Sequence, residues 1–436
     1  MKRFSFFLKE LLSTFWFVPV LIILFAIGLA MGVVYLDSRI RLPDKGFGNY
    51  LFISNPESAR SILTTVSGAM IGVAGTVFSI TLVVLTLASS QFGPRLIKNF
   101  MYVRLNQVVL GSYVSTYLYC LIVLNSIKYS DEVAFVPSLS ILLALLAALA
   151  NIILLIVFIH HIAISIQADK VISDLSGSLS DSIRKLFPEK VGSELDEYKE
   201  KDEESIKSAY REKNFLRARK RGYLQYIDIN SLVKLGTKID GLFELNVRAG
   251  DYLVEDAIVC RVYTHEPNED EIIRLFNSRL IVGNSRTYQQ DAEYSIHQMV
   301  EIAAKALSPG VNDPFTAIAC IDNLSSVMAY LTGVKFPSKY RYDKDESLRV
   351  IADVVTYEGM MDAAFNQIRQ YSNGNPSVVI RLMESLVVIY ELASSELHRE
   401  AIRNHAGMVL NMAGQTFKEP KDLKDLEERW EPLKTD

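Results

Sequence analysis

From Val66 to Ser90 the chain runs for 25 residues, VSGAMIGVAGTVFSITLVVLTLASS, without a charged side chain. A bilayer core of about 30 Å takes roughly 20 apolar residues in helical form, so this segment is expected to cross a membrane. Small or hydroxyl-bearing residues, Gly68, Gly72, Thr76, Ser79, Thr86 and Ser90, recur along one helical stripe of it. Such a seam has two uses. Small residues four apart let helices approach closely, whereas hydroxyls facing an assembly axis line a narrow aqueous path, with Ile71 or Val83 as an apolar constriction.

Three further segments pass the same test: about 15–36, 105–127 and 137–162, the last within an uncharged run from Val133 to Ala168. Four spans put both termini on one side. Lys2, Arg3, Lys9, Arg95, Lys98, Arg104, Lys170, Arg184 and Lys185 on the terminal side outnumber Arg39, Arg41, Lys45, Arg60 and Lys128 opposite. The positive-inside rule then places both termini in the cytoplasm. The first apolar run is too long for a cleaved signal peptide and lacks a clear cleavage site, so it is expected to persist.

Residues 1–168 carry a net charge of +5 and the remainder −9. The basic part is assigned to the membrane and the acidic part to water. Cys120, Cys260 and Cys320 are widely separated, which suggests neither a paired-cysteine metal site nor a disulfide framework. The expected fold class is a membrane α-helical domain of four transmembrane helices plus a cytoplasmic α+β domain with a small β-barrel or sandwich module and a helical region. The expected divisions are 1–168, a charged helical linker at 169–221, the β module at 222–265 and a mostly helical domain at 266–436.

Within the linker an acidic run, Glu194 to Glu204, precedes the basic residues Arg211, Lys213, Arg217, Arg219, Lys220 and Arg221. A solvated helix is the plain reading, contact with anionic lipid the sharper one, and nucleic acid is not expected as a partner. In the β module, LFELNVR alternates and two turns follow, at Ala249-Gly250-Asp251 and Glu255-Asp256. The run GDYLVEDAIVCRV resembles the half-motif of barrel-sandwich hybrid domains. It lacks a lysine at the turn tip, so no cofactor attachment is expected. Thr287 and Gln290 have capping-box spacing for a helix at about 288–307, and Asp313-Pro314 starts a second helix, closing a hairpin through SPGVND. A strand near Leu348–Val355, a helix near Tyr357–Tyr371 and two more helices follow, with LKDLEERWEPLKTD expected to fray.

At Ser89-Ser90-Gln91-Phe92-Gly93-Pro94-Arg95, at Arg286-Thr287 with Gln290-Asp291, and above all at ALSPGVNDPFTA from Ala306 to Ala317, the chain resembles a family of predicted bacterial membrane proteins catalogued as domain of unknown function 2254. The resemblance covers nearly the whole chain. It implies a multi-pass inner-membrane protein and no assigned activity.

Two sites are candidates. The seam of the second span, Gly68, Gly72, Thr76, Ser79 and Thr86, is the candidate pore lining. The loop Ser308, Asn312, Asp313 and Thr316 ends at a helix N-terminus, where free amides attract anions, and Arg286, Gln290 and Asp291 are candidate polar partners for it. Turn and cap chemistry is the competing explanation for the loop. No metal, cofactor or catalytic constellation is expected; His160 and His161 point in different directions on a helix, while His398 and His405 lie seven apart. Two functions follow as expectations: a homo-oligomeric channel regulated by its cytoplasmic domain, or a membrane-anchored sensor or scaffold that takes a small ligand, ion or partner. An enzyme is third, and requires Arg286, Asp291, His297 and Asp313 around one cavity.

Overall fold

The computed structural model describes residues 14–39, 55–93, 103–130, 133–187, 203–265 and 269–434. Several residues used above lie outside these: Lys2, Arg3, Lys9, Arg41, Lys45, Lys98, the Pro94-Arg95 end of SSQFGPR, and the acidic run up to Asp202. Two compact units are present, Met1–Lys170 and Val171–Asp436.

The first unit contains four long helices, α1 (Phe17–Arg39), α2 (Pro56–Phe92), α3 (Arg104–Ser126) and α4 (Ser138–Ser165), with a short antiparallel hairpin, β1 (Lys128–Ser130) and β2 (Val133–Phe135), between the last two. Helix α3 packs against all three others. One core joins Ala30, Leu63, Tyr119, Val123 and Ile141, and a second joins Met70, Val77, Val109, Tyr113 and Phe158. The helix starts are fixed by polar side chains. Asn55 accepts the Glu57 amide at 2.9 Å ahead of Pro56, and Asp37, at the end of α1, accepts the amides of Leu139 and Ser140 at 3.1 and 2.9 Å and the Ser140 hydroxyl at 2.6 Å. A carboxylate at free helix amides satisfies donors that hydrocarbon cannot.

The second unit begins within α5 (Ala168–Leu186), which buries Val171, Ile172, Leu175, Leu179 and Ile183, and continues with α6 (Glu203–Ser208). A five-stranded sheet follows, in the order β3 (Glu212–Arg217), β7 (Ile258–Thr264), β5 (Leu242–Leu245), β10 (Leu348–Ile351), β9 (Tyr340–Tyr342), and a three-stranded one in the order β6 (Tyr252–Leu253), β4 (Gly222–Ile227), β8 (Leu280–Gly283). Among the described residues only β5 and β10 pair in parallel. The main core, with Leu224, Phe243, Val262 and Val350, also takes Leu232 and Leu235 from α7 (Ile229–Lys238) and Phe276 from α8 (Glu269–Asn277). The larger sheet's other face, Leu242, Tyr263, Tyr340, Leu348 and Ile351, meets Ile206 of α6. The rest is helical: α9 (Ala292–Ala306), α10 (Pro314–Thr332), α11 (Tyr357–Met361) continuing through one π turn (Asp362–Asn366) into α12 (Gln367–Tyr371), then α13 (Pro376–Leu392), α14 (Glu396–Thr416) and α15 (Pro420–Trp430).

Five expectations are corrected. Five helices among the described residues, not four, are long and apolar enough to cross a bilayer, the fifth being α10. Its composition matches a span because its face of Ala317, Cys320, Ile321, Leu324, Val327 and Met328 is packed, while its one charge, Asp322, pairs with Arg381 at 2.6 Å. No barrel is closed among the described residues: β3 and β9 remain the two edges of an open sheet, and strands come from well outside 222–265. Residues 212–217, read as helix or linker, form β3, because Leu216 and Ala218 pack into the core in alternation with the charged residues. Helix α9 starts at Asp291, whose carboxylate caps Tyr294; the Thr287 hydroxyl is buried without a hydrogen-bond partner among the described residues. The charged C-terminal run forms α15, anchored by buried Leu426 and by Arg429, which pairs with Glu384 at 2.9 Å.

Candidate functional site

Helix α2 buries Ala59, Leu63, Ser67, Met70, Ala74, Val77, Thr81, Val84, Ala88 and Phe92, a stripe of alternating three- and four-residue steps that packs on α3 and α4. At 3.6 residues per turn, the stripe directly opposite runs Ser61, Thr65, Gly68, Gly72, Gly75, Thr76, Ser79, Val83, Thr86, Ser90. All of these residues are exposed. Added Cβ atoms at Gly68, Gly72 and Gly75 would meet nothing within 4 Å. Thr76, Ser79 and Thr86 donate to the carbonyls of Gly72, Gly75 and Leu82, at 3.3, 2.9 and 2.9 Å. The whole candidate seam is therefore together, longer than the sequence suggested, and turned away from the chain's own bundle.

This overturns close packing between the seam and the other three helices as its use within one chain. The close approach falls instead at Gly111 of α3, where a Cβ would come within 2.9 Å of Pro19 Cα. The outward faces of α1 and α4 are of another kind: Leu24, Phe25 and Met31, and Leu149, Ile153 and Ile156, are large, exposed and apolar, as suits lipid contact. A polar junction that sequence reasoning missed lies inside the bundle. Asn151, fully buried, accepts from Ser112 at 2.6 Å and donates to Thr116 at 2.9 Å, and its carbonyl takes the Tyr113 hydroxyl at 2.6 Å. An uncharged asparagine in an apolar run was the only signal.

In the second unit, Arg286 grips Asp291 with two hydrogen bonds, 2.6 and 2.8 Å, and its third nitrogen lies 3.0 Å from His297 Nδ1. Arg248 pairs with Glu293 at 2.7 Å; burial outweighs that arginine and raises the Glu293 pKa. Gln290 bonds both the amide and the carbonyl of Ile227, tying the start of α9 to β4. Beside Gln290 and Arg248 lies a cavity of about 260 Å³, walled by Leu245, Val247, Ala352 and Val354 just beyond the carboxyl ends of the parallel strands β5 and β10, and by Phe187 and Arg341. In doubly wound parallel sheets ligands bind beyond the carboxyl ends of the strands, and this parallel pair puts the cavity in the corresponding position.

Ser308, Asn312, Asp313 and Thr316 lie at the other end of α9. Its 15 residues separate the two groups by about 22 Å, so Arg286, Gln290 and Asp291 do not serve the loop, and the four-residue enzyme cluster does not assemble. The loop is self-satisfied. Asp313 accepts the Thr316 amide and hydroxyl at 3.1 and 2.6 Å, Ser308 donates to the Lys305 carbonyl, and Asn312 holds φ at 49°. Val311 and Phe315 project from it. Of the histidines, His398 stacks on Tyr357, His405 is buried 3.2 Å from Asp362, and burial lowers both pKa values. No cluster of three metal-ligating side chains occurs among the described residues.

Several helices long and apolar enough to cross a bilayer, with an open-sheet, helix-rich C-terminal region, define the class as a multi-pass membrane protein. The chain belongs to the family described as predicted membrane protein, domain of unknown function 2254, whose model matches residues 12–387. Uncharacterized proteins of Mycobacterium bovis and Mycobacterium tuberculosis are each 29% identical to it over 406 residues, 91% of this chain and 76% of theirs. No solved structure matches.

Proposed function

We propose that this is a bacterial inner-membrane protein, both termini cytoplasmic, whose copies assemble around α2 so that the seam lines a pore governed by the second unit. The observation carrying this reading is the seam's position. Nine small or hydroxyl-bearing residues of α2 lie opposite its packed face, whereas the outward faces of α1 and α4 carry large apolar side chains. Hydroxyls bonded back to their own helix tolerate lipid, but a continuous stripe of them suits a partner helix or water better. Val83, exposed within the stripe, is the apolar constriction. The test is flux of ions or small solutes from liposomes holding the purified protein. Conductance that changes in Thr76→Leu and Ser79→Leu supports the reading, and its absence at every tension, voltage and pH tried overturns it.

The cavity beyond β5 and β10 favours a second reading, an anchored sensor whose cytoplasmic unit takes a small ligand there rather than at SPGVND. Under it, the same two substitutions leave function unchanged, and filling the cavity with Ala352→Trp abolishes it. Neither reading assigns a cofactor, a nucleic-acid partner or a reaction.

A further inference from the structure

The segment Arg211 to Arg221, REKNFLRARKR, has six Lys/Arg and one acid, in a portion of the chain whose net charge is −9. As a strand it presents alternate residues on one side. Lys213, Phe215, Arg217 and Arg219 are exposed while Leu216 and Ala218 are buried, and Lys220 and Arg221 follow at the turn, also exposed. Phe215 leaves 48% of its surface in solvent, with the Lys213 ammonium 5.8 Å from its ring centre. β3 is an edge strand, and Ile258, next to it on β7, is exposed as well. Glu255 and Asp256 are the acids beside this margin, and the Asp256 carbonyl accepts from Arg217 at 2.7 Å.

We propose that this basic, aromatic margin of the five-stranded sheet docks on the surface of an anionic phospholipid membrane. Cations grouped around an exposed aromatic ring match headgroup phosphates with an apolar layer beneath them, and the field of anionic lipid acts within a Debye length of the surface. Lysine and arginine on an edge strand also discourage strand pairing. That role needs neither the exposed ring nor three cations gathered at the turn. The net positive charge of this margin, in a portion of the chain that is otherwise acidic, is complementary to anionic lipid. The inference is independent of the pore, since it concerns a face of the second unit that binds lipid whether or not anything is conducted.

The test uses the full chain in nanodiscs and the variant Lys220→Cys, the native Cys120, Cys260 and Cys320 being buried. Alkylation by an uncharged maleimide is compared in zwitterionic and phosphatidylglycerol-containing discs, with Phe315→Cys, 80% exposed on the hairpin, as the control. At least a roughly fivefold slowing for the Lys220→Cys thiol in anionic discs alone, reversed by high salt and by Lys213→Glu, Arg217→Glu and Arg219→Glu together, is expected. Equal rates in both lipids, or slowing only when RNA or inorganic phosphate is added, overturns the proposal.

Discussion

Gly250 holds φ at +104° in the turn before β6, and a Cβ placed there would meet the Asp291 carboxylate at 2.5 Å. Gly250→Ala is expected to destabilise the protein by about 1–3 kcal/mol, through backbone strain and displacement of the Arg286–Asp291 pair; a thermal midpoint equal to the parent's would contradict this. Hydrogen bonds from Lys339, Tyr340 and Lys207 hold the Glu203 carboxyl at about 2, below its ordinary 4.5, and Arg349 with two backbone amides holds Asp343 at about 2 against 3.8. Groups depressed in the folded state stabilise it above their ordinary values and lose that contribution as pH falls through the folded ones. Stability of the parent should therefore decline between pH about 4.5 and about 2, and Glu203→Gln should flatten part of that slope. Denaturant midpoints across this range decide it; identical slopes in both proteins would refute the assignment.

Asn151 binds α4 to α3 where no water competes, and its loss leaves Ser112 and Thr116 with poorer partners. Asn151→Ala is expected to cost about 1–2 kcal/mol of bundle stability, read as earlier loss of monodispersity on heating in detergent. The spans were legible because long uncharged runs have few alternatives, yet α2 extends to Pro56, ten residues before the apolar run drew notice, on an Asn-Pro cap signal present but unread. Composition alone also made α10 pass as a span, since a helix packed into protein and one packed into lipid differ in their neighbours more than in their residues. β3 was hidden because its charges masked the alternation of Leu216 and Ala218. The seam's residues were readable from spacing. The direction they face was not, because it depends on which stripe α3 and α4 cover.

Two units with opposite charge imply different surroundings, and the number of crossings links them. With the four helices of the first unit as the crossings, reporters fused at either end should both read cytoplasmic; a C-terminal reporter active only outside would mean that α10 crosses as well. The central claim is that the exposed stripe of α2 meets water in an assembly of copies rather than lipid. Its most direct measurement is thiol reactivity, in native membranes, of single cysteines scanned from position 61 to 90 toward a small water-soluble reagent. The account predicts reaction at Gly68, Gly72, Thr76, Ser79 and Thr86, with Phe78 and Leu87 on the flanks and Ala74 and Val77 on the packed face unreactive. Silence along the whole stripe, with no positional pattern, would contradict it.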